Sequence, residues 1–147
     1  MTFNESRNYK NRIRHKKANK MNNSMYSEVI LDYYRNPPNK GTIAKPDAVA
    51  TDVNTACGDE IEVQLKVDKK GKISEAKFNG KGCIVSQASA SMLLEYIHGK
   101  TLEEVEKLTE EKALGLLCIK LTPIRTKCGL LGFKTLKKTL TNLKKIT

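Results

Sequence analysis

The chain has 147 residues, 39% of them hydrophobic and 29% charged, with 5% aromatics and no Trp, which fits one domain with a modest aliphatic core. No run reaches the roughly 18 apolar residues of a membrane span, and the N-terminus lacks the apolar stretch of a secretory signal. The net charge of +11 is split: residues 1–24 carry seven basic residues against one acid, residues 120–147 carry eight and no acid, and residues 25–119 stand at −3.

Residues 1–24 are rich in Asn and nearly free of core-forming side chains. They bury too little surface to offset chain entropy, and they read as a disordered basic extension ahead of a single domain over 25–147. Three readings of the extension stay open: an organelle-targeting peptide, a nucleic-acid arm, or an upstream segment of little function before Met25. Phe3, Ile13 and Met21 give it no amphipathic face, which weakens the first. With the positive charge confined to this extension and one helix, and with few stacking aromatics, nucleic acid is not the expected partner of the domain.

From Met25 to Arg35, the residues Tyr26, Val29, Ile30, Tyr33 and Tyr34 recur at helical spacing, with Ser24 or Ser27 to cap the start and Asn36-Pro37 to end it. Pro37 to Gly41 is a turn-rich connector, and Val49 to Val53 offers a short strand. The clearest periodicity follows: Ile61, Val63, Leu65 and Val67 alternate with Glu62, Gln64 and Lys66, a half-buried strand. Asp68 to Gly71 turns the chain, and Ile73, Ala76 and Phe78 mark a partner strand, closing an antiparallel hairpin. The period then changes. Ile84 to His98 reads as a helix stopped by Gly99, and Thr101 and Thr109, each followed by two acids within three residues, start two more. From Gly129 to Ile146, the residues Phe133, Leu136, Leu140 and Leu143 lie opposite most of the lysines, an amphipathic helix. Strands early and helices late predict an α+β domain: a small antiparallel sheet of about three strands, helices on one face, and a long C-terminal amphipathic helix.

Four cysteines in no Cys-x-x-Cys pair suit a chain kept reduced in the cytoplasm, where thiols serve metals or chemistry more often than disulfides. Cys57 sits at a strand-to-strand tip in Thr55-Ala56-Cys57-Gly58-Asp59, where Gly58 lets the backbone turn so that Cys57 and Asp59 share one locus. Cys83 follows Gly80-Lys81-Gly82 and precedes a helix. Cys128 is expected just before the last helix, beside Lys127, and both positions favour a thiolate through the helix dipole. Cys118, flanked by Leu117 and Ile119, reads as a buried packing residue. Three thiolates and one carboxylate make a four-ligand set for zinc or for an iron–sulfur cluster.

The phrases MYSEVILDYYRNPPNKG, TACGDEIEVQL, GKGCIVSQASASML and LTPIRTKCGLLG, in this order, resemble the NifU/IscU/SufU-type iron–sulfur cluster assembly scaffolds over about residues 25–142. The resemblance implies a compact α+β scaffold rather than an enzyme, one on which a 2Fe-2S cluster is built transiently and passed to apo-proteins. It implies Cys57, Cys83 and Cys128 as cluster or zinc ligands, with Asp59 as the fourth, labile one, and a cysteine desulfurase as sulfur donor. The alternative it carries is a zinc-bound sulfur-transfer partner that stimulates a desulfurase without storing a cluster. Lys127 stands where many IscU-type members have His, as in SufU-type members, yet the 45-position step from Cys83 to Cys128 lacks the insertion typical of SufU. The stretch Leu121-Thr122-Pro123-Ile124-Arg125 is similar to the segment that an Hsp70-type chaperone recognises in IscU, with Thr122 replacing a proline.

Overall fold

The computed structural model describes residues 28–146, so the basic extension, Tyr26 and the Ser24 or Ser27 cap lie outside the described residues. The first helix, α1, runs Glu28–Arg35 and buries Val29, Ile30 and Tyr33, while Tyr34 lies on its outer side. The connector then crosses to an antiparallel sheet of β1 (Ala48–Asn54), β2 (Asp59–Val67) and β3 (Ile73–Lys81), ordered β1-β2-β3. The alternation read from β2 holds on the inner face, where Ile61, Val63 and Leu65 are fully buried. On the outer face Gln64 departs from it: the connector covers this side chain, which accepts the Ile43 N–H at 2.7 Å. A buried amide is tolerated when hydrogen-bonded in this way.

Helix α2 (Ile84–Ile97) is buried along nearly its whole length, because α1 packs on one side of it and the last helix on another. Two short helices follow, α3 (Leu102–Glu106) and α4 (Glu110–Gly115), capped by Thr101 and Thr109 as the sequence predicts. At Thr101 the hydroxyl accepts Glu104 N–H and the Glu104 carboxylate accepts Thr101 N–H, a reciprocal capping box. Helix α5 (Pro123–Ile146) lies along β1 and β2 and crosses α2. The crossing is close because Gly132 meets Ala90: a Cβ at 132 would stand 3.0 Å from the Ala90 backbone. The result is the α+β layering expected, helices on one face of a three-stranded sheet.

Two expectations need correction. Helix α5 begins at Pro123, six residues before Gly129: Thr122 caps it, its hydroxyl accepting Arg125 N–H at 3.3 Å, and Pro123 takes the first helical position, where a missing N–H costs nothing. Gly129 is interior and lets the side chains of Leu114, Leu117 and Leu121 approach the helix. Cys118 is exposed rather than buried, in the left-handed region at φ 58°, because the chain reverses there after burying Leu116 and Leu117. Among the described residues no helix is long and apolar enough to cross a membrane.

Candidate metal centre

The β1–β2 turn holds the first two site residues. Asn54 closes it by accepting the N–H groups of Cys57 and Gly58 on its carbonyl and that of Ala56 on its side chain, and Gly58 takes φ 73°. That left-handed residue leaves Cys57 exposed at the tip and returns Asp59 inward as the first residue of β2, 2% exposed. From the far end of the chain, α5 brings Cys128 beneath the turn, so that Cys57 Sγ and Cys128 Sγ lie 3.3 Å apart. The ligand atoms of Cys57, Asp59 and Cys128 all fall within 4.8 Å of one another.

Cys83 adjoins this group through Asp59. Its N–H donates to Asp59 Oδ1 at 3.1 Å, and its Sγ stands 3.8 Å from Asp59 Oδ2. It precedes α2 as predicted and also caps it, its sulfur accepting Ser86 N–H at 3.5 Å. Gly82 leaves room here, since a Cβ would lie 2.8 Å from Asp59 Oδ1 and 2.4 Å from Ser86 Oγ and would displace both side chains. The sheet thus supplies a tip thiol and a buried carboxylate, α2 a capping thiol, and α5 a buried thiol.

The electrostatics differ from the expectation at Cys128. It is not at a helix start but in the second turn of α5, fully buried, and the dipole's support fades beyond the first turn. Burial first, then hydrogen bonding with Cys57, Asp59 and Cys83, holds its thiol far above the ordinary thiol range. Lys127 is exposed and, one residue along a helix, projects about 100° away from it.

The donor set suits a thiophilic cation. A buried carboxylate is costly unless it is paired, hydrogen-bonded or bound to metal, and Asp59 has one oxygen on a backbone N–H and the other towards sulfur. Two sulfurs about 2.3 Å from one tetrahedral ion stand about 3.8 Å apart and an oxygen–sulfur pair about 3.5 Å, so the 3.3 Å between Cys57 and Cys128 and the 3.8 Å between Asp59 and Cys83 are each within about half an ångström of a shared-ion geometry.

A cleft of about 600 Å³ opens onto the group, lined by Cys57, Asp59, Lys81, Cys83, Thr122, Ile124 and Arg125. Sequence reasoning set the last three apart as a chaperone segment, and the fold puts them on the site's own rim, with Ile124 66% exposed. Leu121 is half-buried and Pro123 exposed. Asn54, Lys81 and Ser86 were not singled out. Asn54 Nδ2 reaches to 3.9 Å from Cys128 Sγ, and Ser86 carried a readable signal, the third-residue spacing after a capping side chain.

The family model for the NifU-like N-terminal domain matches residues 25–147. The iron-sulfur cluster assembly scaffold protein IscU of Thermotoga maritima is 41% identical over 132 residues, covering 79% of this chain and 92% of that protein. The zinc-dependent sulfurtransferase SufU of Bacillus subtilis is 37% identical over 134 residues, 78% of this chain and 88% of that one. A solved structure of a SUF-system scaffold from Fervidobacterium islandicum superposes with a TM-score of 0.67 at 34% identity, covering 78% of this chain and 96% of that one.

Proposed function

The chain belongs to the NifU-like N-terminal domain family of iron–sulfur cluster assembly scaffolds, and we propose that it accepts sulfur from a cysteine desulfurase, assembles a transient 2Fe-2S cluster and passes it to apo-proteins. Cys57, Cys83, Cys128 and Asp59 would hold the cluster, which is cargo rather than a resident group. The observation that carries this reading is the meeting of Cys57, Asp59 and Cys128 within 4.8 Å, with Cys83 beside Asp59. Thiolates are soft and match iron and sulfide well, whereas the Asp59 carboxylate is harder and exchanges more readily, a mixed set suited to release.

Cys57 is the proposed sulfur acceptor, since it is exposed while Cys128 lies 3.3 Å behind it in the interior. Its thiolate attacks the outer sulfur of the donor's persulfide; the donor S–S bond breaks, and the donor cysteine leaves as thiolate. The protein acts as scaffold rather than catalyst, in a reducing setting such as the cytoplasm. The segment Leu121 to Arg125, of which Thr122, Ile124 and Arg125 line the cleft rim, is the proposed contact for an Hsp70-type chaperone.

Anaerobic reconstitution of the full chain with ferrous iron and sulfide tests the scaffold role. A brown protein with equal iron and sulfide is expected, and a colourless product would overturn the assignment. Asp59→Ala should slow transfer to an acceptor and prolong the life of the bound cluster; faster transfer would refute the labile role of Asp59.

A second reading has its own support in Lys127, where many IscU-type scaffolds have His, and in the similarity to a zinc-dependent sulfurtransferase. Here the same four ligands hold zinc, and Cys57 relays sulfur without storing a cluster. Tight zinc in protein that stimulates a desulfurase, with no visible absorption after reconstitution, selects this reading.

A further inference from the structure

The lysines of α5 fall into two sets. Lys137 and Lys144 are held by α3: Lys137 Nζ donates to Glu106 O at 2.6 Å, and Lys144 pairs with the Glu106 carboxylate at 2.8 Å. Lys127, Lys134, Lys138 and Lys145 are all exposed and belong to a different line. Successive spacings of 7, 4 and 7 residues at 100° per residue keep them within about 40° of one azimuth, along about 27 Å of helix. Among the described residues only Lys138 of the four meets an acid, Asp52 at 3.2 Å, and residues 120–147 contain none. The row begins at Lys127, one residue from Cys128, and runs away from the metal centre.

We propose that this lysine row is a docking rail for an acidic protein partner, orienting it so that its own ligands arrive over the Cys57–Cys128 end. The choice of a protein that receives the cluster or metal rests on the scaffold reading above; the rail itself rests on charge and geometry. A line of one sign with three of its four charges unpaired among the described residues, ending beside a reactive site, steers association and fixes orientation. The side chains that would serve a membrane or unpaired bases are turned inward on this helix: Leu130, Leu131, Phe133, Leu136 and Leu140 are buried. The row therefore offers charge without insertion or stacking, which favours an acidic protein face over lipid or nucleic acid.

The test titrates the metal-free full chain with a small acidic apo-ferredoxin, at low salt and again at higher salt. It compares the wild type with K127Q/K134Q/K138Q/K145Q and with K45Q/K69Q/K70Q/K107Q, which removes the same charge from exposed lysines elsewhere. The row variant is expected to bind about tenfold more weakly at low salt and to lose most of the salt dependence, with the control within about twofold of wild type. Equal losses in the two variants would show that net charge alone acts and would overturn the rail. So would unchanged apo-ferredoxin binding with loss of a DNA duplex or of phosphatidylserine vesicles. Because association is read without metal, failure of cluster assembly and failure of the rail give different results.

Discussion

Cys83 and Cys128 read alike in the sequence, each a thiol beside a glycine at an expected helix start, and the fold treats them in opposite ways. Cys83 caps α2 and is half-buried, its sulfur taking the Ser86 N–H. Cys128 sits one turn inside α5, fully buried, and packing rather than the helix end determines its protonation. A displacement of one turn thus takes Cys128 away from the helix end and into packing that resists an anion. One centre then contains a half-buried thiol at a helix end and a fully buried one that its surroundings keep protonated.

The comparison can be broken most severely at the ligands. Cys83→Ser and Cys128→Ser should each lower metal retention at least about 100-fold, beyond the usual loss when a residue that only hydrogen-bonds a ligand is changed, measured by chelator competition. In the metal-free protein the two should part. Serine caps well, so Cys83→Ser keeps or slightly raises stability, whereas Cys128→Ser puts a hydroxyl in an interior site and costs about 1–3 kcal/mol by denaturant unfolding. Equal costs would mean that the two environments do not differ as described.

Gly82→Ala is next in size. Its methyl would displace the Asp59 carboxylate and Ser86, so a loss of about 1–3 kcal/mol is expected, with weaker metal retention, although no ligand is removed.

The smallest effect sets the sulfur cap against an oxygen cap. Thr101→Ala should cost about 1 kcal/mol. The backbone N–H of Thr101, first, and then its hydroxyl hold the Glu104 carboxyl below its usual pKa. The contribution of Glu104 is therefore present above the ordinary carboxylate range and fades as pH falls through the lowered value. Thr101→Ala removes the hydroxyl but keeps that N–H, so the acid-side slope should shrink only in part in a thermal unfolding series, whereas Glu104→Gln should remove it; an unchanged slope in Glu104→Gln would mean that the box does not act through this carboxylate.

The sequence by itself determined what is local. The alternation in β2, the turn at Asp68 to Gly71, the caps at Thr101 and Thr109 and the motif phrases around Cys57, Cys83 and Cys128 each depend on a few neighbouring residues. Only the tertiary structure decided what depends on distant partners. Gly129 resembles a helix boundary until Leu114, Leu117 and Leu121 are seen packed against it, and Cys118 resembles a core residue until the reversal that exposes it is seen. The 3.3 Å approach of Cys57 to Cys128, across 71 residues, follows from α5 lying along β1 and β2. Backbone periodicity is written in adjacent residues, whereas the burial and meeting of side chains are set by whichever surfaces pack together, and that information is spread over the whole chain.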